Sequence, residues 1–165
     1  IQLRNDLQCK SFQWYIENIY PEVEIPDNLA EGYVKNNASN YCLDFPFDAS
    51  NSKNKLLVYS CHYMGGNQFL EFSKSSRIQR NGRCLEYTPD NELIFTFCNN
   101  QISQSWTYNV TTHQLYHAAT SQCISYKLNA FLRPEAPLME ACDETSEKQK
   151  WNFEYFHAEK LTEIA

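Results

Sequence analysis

The chain has 165 residues, a formal net charge of −6 and a sequence pI of ≈ 5.2. An acidic chain without clusters of lysine and arginine does not favour binding to nucleic acid or to an anionic membrane. No apolar run approaches the ~20 residues that a membrane helix requires. A chain of this size buries roughly 70% of its surface on folding, so one domain with a short appendage is expected.

The N-terminal segment is predicted to form a short helix followed by a linker. Ser11 is a suitable helix cap. Apolar residues follow it at the spacing of one helical face: Phe12, Tyr15, Ile16 and Ile19. Pro21 cannot continue the helix, and residues 23–31 are predicted to be an extended linker. The apolar face is large for an isolated appendage, so we expect the chain to be a piece of a longer protein.

A threefold repeat follows the linker. Its first cysteines are 42 and 39 residues apart, and in each unit a second cysteine, a glutamine and an apolar residue follow at similar distances. The cysteines are predicted to pair within each unit: Cys42–Cys61, Cys84–Cys98 and Cys123–Cys142. The glutamines are Gln68, Gln104 and Gln149, and the apolar residues two positions later are Leu70, Trp106 and Trp151. We expect these six side chains to point into a shared core.

Short strand-like runs separated by turn residues fill the repeats. Examples are residues 56–59, 69–72, 93–97 and 106–108. Such runs indicate an all-β barrel or sandwich. Three units of about 40 residues favour a closed threefold arrangement, because closure removes exposed sheet edges.

Paired cysteines indicate an oxidising compartment. Two N-glycosylation sequons, Asn37-Ala38-Ser39 and Asn109-Val110-Thr111, fit a secretory protein. No metal site is expected, since the chain has no Cys-x-x-Cys motif. His113 and His117 have the spacing of a helical zinc pair but lie in a predicted hairpin.

The repeats resemble those of the ricin-type β-trefoil lectins, which carry Cys-Leu-Asp and Gln-x-Trp elements, over residues 32–156. Residues 9–22 resemble the end of the catalytic domain of polypeptide N-acetylgalactosaminyltransferases, and residues 59–68 resemble their first lectin repeat. This resemblance implies a β-trefoil and divides the chain into four segments. They are a catalytic-domain helix remnant at 1–22, a linker at 23–31, the β-trefoil lectin domain at 32–156 and a tail at 157–165.

The resemblance also implies a function. Those enzymes act in the Golgi lumen, use manganese and UDP-N-acetylgalactosamine, and transfer the sugar to Ser or Thr. Their lectin domain binds N-acetylgalactosamine already on the glycopeptide. The manganese motif Asp-x-His is absent from these 165 residues, so this chain alone is expected to have no cofactor and no transferase activity. Cys9 is expected to bond a cysteine of the catalytic domain, which would be its partner in cis.

The first repeat has the side chains that a galactose-type sugar needs. Asp44 supplies a carboxylate for two neighbouring hydroxyls, and Asn67 supplies an amide for the same pair. Tyr59 is expected to cover the apolar ring face, and His62 to bond a hydroxyl or the acetamido group. The glycines Gly65 and Gly66 are expected to let the backbone approach closely. The Asp44 carboxylate is expected to face solvent at a surface pocket.

The other two repeats lack this set. At the matching positions repeat two has Glu86, Ser103, Thr96 and Asn99, and repeat three has Ser125, Lys148, Glu140 and Asp143. One functional sugar site is therefore predicted, in repeat one.

Three alternatives differ in what they require. An independent secreted galactose lectin would have no use for residues 9–22. A trefoil interaction protein without sugar binding would not need the four site residues together. A small hydrolase would need a nucleophile and a base, and His113 and Ser103 form no recognisable arrangement.

Overall fold

The computed structural model describes residues 28–129, residues 134–157 and Ile19. The predicted helix apart from Ile19, Cys9, most of the predicted linker and the tail beyond residue 157 lie outside the described residues. The described part contains three 3-10 helices, Gly66–Gln68, Ile102–Gln104 and Glu147–Gln149. Its strands are β1 Asn28–Asn36, β2 Tyr41–Asp44, β3 Asn54–Lys55, β4 Leu57–Ser60, β5 Leu70–Ser73, β6 Ile78–Arg80, β7 Arg83–Tyr87, β8 Leu93–Phe97, β9 Trp106–Asn109, β10 Gln114–His117, β11 Gln122–Leu128, β12 Pro134–Ala141 and β13 Trp151–Phe156.

These strands form two antiparallel sheets. The larger has the order β3-β8-β7-β6-β5-β1-β2-β4, with β13 also paired to β1. The smaller has the order β12-β11-β10-β9. Pairing of β1 with β13 joins the two ends of the repeat region. The all-β prediction and the β-trefoil prediction are confirmed.

The first strand begins before the predicted start of the repeat region. Residues 28–31 lie in β1, and Ala30 pairs with both Phe72 and Phe156. β1 is irregular beyond Glu31, where Gly32 has a φ of 103°. A Cβ on Gly32 would lie 2.6 Å from the Cβ of Glu154. Only glycine therefore fits this crossing of β1 and β13.

The core is built from the predicted anchors. Leu70, Trp106 and Trp151 are fully buried. The indole Nε1 of Trp106 donates to the carbonyl of Leu85 at 2.8 Å, and that of Trp151 donates to the carbonyl of Ile124 at 2.9 Å. In repeats two and three these bonds tie the end of the unit to the strand that contains its first cysteine. Leu70 occupies the same place in repeat one without such a bond.

The three predicted disulfides are confirmed: Cys42–Cys61, Cys84–Cys98 and Cys123–Cys142. Each links two neighbouring strands or their ends within one repeat.

The predicted hairpin at His113 and His117 is also confirmed, since it is formed by β9 and β10. Among the described residues, no group of three or more His, Cys, Asp or Glu side chains is arranged to hold a metal ion. No described helix is long and apolar enough to span a membrane.

Trp106→Phe tests the indole anchor. The change leaves the buried carbonyl of Leu85 without its donor and leaves a small cavity, so the free energy of unfolding should fall by about 1–3 kcal/mol. Urea unfolding measures it, with the exposed Val110→Ala as control, for which a change within about 0.5 kcal/mol is expected. If Trp106→Phe behaves like the control, the bond to Leu85 is not an anchor.

Candidate carbohydrate-binding site

A buried glutamine organises the outer end of each repeat. In repeat one, Gln68 Oε1 accepts from the backbone N–H of His62 at 3.0 Å, and Nε2 donates to the carbonyl of Ser60 at 3.0 Å. The same pair of bonds recurs at Gln104, with Asn99 and Phe97, and at Gln149, with Asp143 and Ala141. The glutamine therefore fixes the chain on both sides of the second cysteine.

The same glutamine also holds Asp44. Gln68 Nε2 donates to Asp44 Oδ2 at 3.0 Å, and Asp44 is only 7% exposed at the end of β2. The expectation of a solvent-facing carboxylate in a loop was therefore wrong: the side chain is mostly buried and its Oδ2 belongs to the scaffold. The other oxygen, Oδ1, accepts no hydrogen bond from the described residues.

The strand register brings Tyr59 to the same face. In the pairing of β2 with β4, Asp44 lies opposite Leu57 and Cys42 lies opposite Tyr59. Asp44 and Tyr59 are therefore diagonal neighbours on one face, at a spacing that an aromatic ring can span. Tyr59 is 64% exposed, so its ring is available to a ligand and is not part of the core.

The remaining two predicted residues are held near Asp44 by backbone bonds. Asn67 is exposed, and its carbonyl accepts from the N–H of Phe45, the residue after Asp44, at 2.8 Å. His62 is half-buried, and its N–H is bound by the same Gln68 that holds the Asp44 carboxylate. The structure therefore brings all four predicted residues to one end of repeat one.

The proton on the His62 ring is assigned by its neighbour. The backbone N–H of Met64 donates to His62 Nδ1 at 3.2 Å. Because Nδ1 accepts, the neutral ring carries its proton on Nε2. His62 therefore offers a hydrogen-bond donor to a ligand.

The two glycines of this segment serve backbone conformation. Gly65 and Gly66 have φ values of 66° and 58°, a region that residues with a Cβ rarely adopt. A Cβ at either position would meet nothing within 4 Å. The tight turn before Asn67 therefore requires these glycines, and the close approach of the backbone to a ligand stays a prediction.

Two further aromatic side chains lie close by in the chain. Tyr63 is half exposed, has a left-handed φ of 56°, and bonds Asn40 through its hydroxyl. Its ring packs edge-on against Tyr33 at a centroid distance of 5.2 Å. Phe47 packs against the core residue Phe45. Both are held by protein contacts of their own.

Repeat two keeps the geometry but changes the chemistry. Gln104 Nε2 donates to Glu86 Oε2 at 2.8 Å, as Gln68 does to Asp44. Glu86, Thr96 and Asn99 line one cavity of ≈ 270 Å³, which also includes Lys53. The cavity has no aromatic wall at the position of Tyr59.

Repeat three has lost the carboxylate. Ser125 occupies the position of Asp44, and its Oγ is buried without a hydrogen-bond partner among the described residues. Gln149 Oε1 instead accepts from Gln114 Nε2 at 3.0 Å. The short serine side chain does not replace the acid, and a second glutamine stabilises this corner.

A larger cavity of ≈ 400 Å³ lies between repeats two and three, beside the buried His117. His117 Nε2 bonds the carbonyl of Ser103 at 3.1 Å, and Nδ1 bonds Thr120 Oγ1 at 3.0 Å. Burial lowers the pKa of His117 below its usual value. Both ring nitrogens are engaged, so this residue has a structural role.

Sequence reasoning missed three contributors to the site. Gln68 was expected only in the core, yet it links Asp44 to His62. Met64 contributes through its backbone, which no side-chain pattern reveals. Burial lowers the pKa of Arg80, and the nearby carboxylates of Asp44 and Glu71 oppose this shift.

The chain matches a known protein family. The family model of the ricin-type beta-trefoil lectin domain matches residues 30–151. The chain belongs to this family. Its fold and its three Gln-centred repeats agree with that membership.

The chain is similar to one region of larger enzymes. The putative polypeptide N-acetylgalactosaminyltransferase 9 of Drosophila melanogaster is 37% identical over 163 residues, covering 97% of this chain and 24% of that protein. The human polypeptide N-acetylgalactosaminyltransferase 6 is 29% identical, covering 93% of this chain and 25% of that protein. The chain thus spans about a quarter of the length of these relatives and corresponds to their lectin-domain region.

Solved structures agree with this relationship. The crystal structure of GalNAc-T7 with UDP, GalNAc and Mn2+ matches with a TM-score of 0.68 and 26% identity, covering 95% of this chain and 29% of that one. The β-trefoil lectin of the Vibrio vulnificus hemolysin, solved with N-acetyl-D-lactosamine, matches with a TM-score of 0.58 and 19% identity, over 75% of this chain and 93% of that one. The second likeness is one of fold alone.

Asp44→Ala tests the scaffold role of the acid. Gln68 Nε2 keeps its bond to Ser60 but loses an acceptor, so the free energy of unfolding should fall by about 1–3 kcal/mol. Asp44→Asn keeps an oxygen acceptor and should cost less. Ser125→Ala is the matched control, because its hydroxyl bonds none of the described residues, and it should be neutral or slightly stabilising. Equal losses for Asp44→Ala and Ser125→Ala would contradict this role.

Proposed function

We propose that the chain binds N-acetylgalactosamine or a related galactose-type sugar in repeat one. The observation that supports this most is the state of Asp44. One of its oxygens is fixed by Gln68, whereas Oδ1 has no partner among the described residues. A carboxylate oriented by the scaffold in this way retains acceptor sites for hydroxyl groups of a ligand.

The neighbouring groups complete a sugar pocket in this proposal. Asn67 provides an amide that donates and accepts beside Asp44. The exposed ring of Tyr59 covers the apolar face of the sugar. The Nε2–H of His62 donates to the carbonyl of the acetamido group. These four groups differ in kind, and each complements a different part of the sugar.

We further propose that this lectin domain belongs to a transferase that adds N-acetylgalactosamine to Ser or Thr. The similarity to such enzymes extends over 97% of the chain, including residues 9–22. In the whole protein, the catalytic domain would use manganese and UDP-N-acetylgalactosamine and would lie in the Golgi lumen. The chain itself would supply no catalytic group. Cys9, which lies outside the described residues, would bond a cysteine of that domain.

Weak binding suits this role. A shallow site with a few charge-assisted bonds is expected to bind with a Kd on the order of mM, or about −4 kcal/mol. Linkage to a catalytic domain raises the effective concentration of the second site. The lectin domain would therefore return the enzyme to peptides that already carry the sugar.

An independent secreted galactose lectin is the alternative. It would have the same sugar site but no use for residues 9–22.

Asp44→Asn tests the sugar site directly. Asn presents a donor where two sugar hydroxyls need an acceptor. This mismatch should weaken the binding free energy by roughly 2–4 kcal/mol, which is half or all of the about 4 kcal/mol available at mM affinity. NMR titration with N-acetylgalactosamine should show shifts around residues 59–67 in the parent and none in Asp44→Asn. Glu86→Gln, the equivalent change in repeat two, should bind like the parent. Binding by Asp44→Asn within threefold of the parent would refute the site.

His62→Phe tests recognition of the acetamido group. The change removes the Nε2–H donor but keeps an aromatic ring of similar size. Loss of one hydrogen bond of about 1 kcal/mol should lower the affinity for N-acetylgalactosamine roughly fivefold, with little effect on galactose. Competition experiments with the two sugars measure the ratio. An equal loss for both would assign His62 to a hydroxyl instead.

A further inference from the structure

Both sequons lie in exposed turns of the folded domain. Asn37 follows β1, and Asn109 is the last residue of β9. Both side chains are exposed, and so are Ala38 and Val110 between each asparagine and its hydroxyl residue. These are the surface positions at which an N-linked glycan can be accommodated.

The side-chain oxygen of Asn109 holds its turn. Oδ1 accepts from the backbone N–H of Thr111 at 2.9 Å and of Thr112 at 3.1 Å, an arrangement typical of asparagine in turns. The amide nitrogen Nδ2 donates no hydrogen bond within the described part of the chain. Thr111 is exposed, and its hydroxyl bonds no described residue. The group that would carry a glycan is therefore not needed by the fold.

In the Asn37 side chain, as in that of Asn109, the amide oxygen is bonded and the amide nitrogen is not bonded to any described residue. Its Oδ1 accepts from Asn152 Nδ2 at 3.0 Å, while its own Nδ2 has no acceptor among the described residues. The hydroxyl residue differs, however. Ser39 Oγ donates to Asn36 Oδ1 at 2.9 Å and lies 3.2 Å from the hydroxyl of Tyr126. In the folded domain this hydroxyl is engaged, whereas that of Thr111 is open.

We propose that Asn37 and Asn109 each carry an N-linked oligosaccharide. The donor is a lipid pyrophosphate-linked oligosaccharide. A bond forms between Nδ2 and the anomeric carbon of the sugar, the bond from that carbon to the pyrophosphate oxygen breaks, and the amide loses one proton as the lipid pyrophosphate leaves. The retained oxygen keeps its turn bonds. This inference rests on the proposed secretory location of the chain and is independent of the sugar site.

The two sites differ in when they are accessible. Tyr126 and Asn152 are synthesised long after Ser39, so the turn at Asn37 can close only when the C-terminal strands are present. Once it closes, its hydroxyl is no longer available. Slow oxidative folding should therefore favour modification of Asn37, while Asn109 should be modified to the same extent in either case.

Asn37→Asp and Asn109→Asp are the variants of choice. Each keeps the oxygen that the fold uses and replaces the acceptor nitrogen with a second oxygen. The full chain is secreted from cultured animal cells behind a cleavable leader, and the glycans are removed with an N-glycosidase, which converts a modified Asn to Asp. The parent should lose two glycans, each single variant one, and the double variant none. Mass spectrometry of the tryptic peptides should locate them.

Controls separate the glycan from the fold. Thr111→Ser keeps the sequon and should be modified, whereas Thr111→Val should not. Where the parent leaves a fraction of Asn37 unmodified, a mild thiol reductant during synthesis should raise occupancy at Asn37 and leave Asn109 unchanged. Secreted chain with its three disulfides formed but either asparagine unmodified overturns the proposal for that site. N-acetylgalactosamine titration of the same deglycosylated chain reports separately on the sugar site, so the two failures are distinguishable.

Discussion

A buried glutamine in each repeat joins the parts on which the site depends. Its amide is satisfied by backbone groups on both sides of the second cysteine, and in repeat one it also fixes Asp44. A buried amide without these partners would cost about 1–3 kcal/mol, so the geometry around it is strongly specified. The disulfide of each unit, and the indole anchor of repeats two and three, hold the same region from other directions. The site of repeat one is thus positioned by groups that are also part of the core.

This arrangement explains how three repeats of one design differ in chemistry. The glutamine bonds are kept in all three, because losing them would disturb the fold. The positions around them vary. The exposed Tyr59 becomes Thr96 in repeat two, where solvent replaces the lost contacts, and the buried Asp44 becomes Ser125 in repeat three. Ser125 carries an energetic cost, since its buried hydroxyl has no partner in the described part of the chain. Repeat three nevertheless keeps the fold without the acid.

Much of the fold was readable from the sequence because cysteine, glutamine and tryptophan recur at matching places. The disulfide pairs and the buried Trp106 and Trp151 followed from that recurrence, and the strand at residues 93–97 followed from a short apolar run between turn residues. The orientation of Asp44 did not. Its position two residues after Cys42 indicates a functional acid, but only the approach of Gln68, 24 residues away in the chain, reveals that one oxygen is buried and bonded. Likewise, the glycines before Asn67 were recognised as special, yet their role in backbone conformation required the φ angles.

The sequence by itself determined the repeat, the class of fold and the four side chains suited to a sugar, because these depend on residue type and spacing. Tertiary structure alone decided which atoms remain for a ligand. The proton of His62 is placed by the backbone of Met64, the Asp44 carboxylate is divided between scaffold and surface by Gln68, and Tyr59 is brought to the same face by the register of two strands. Each of these contacts joins groups that only the folded backbone brings together. The residue types alone do not determine that the groups meet.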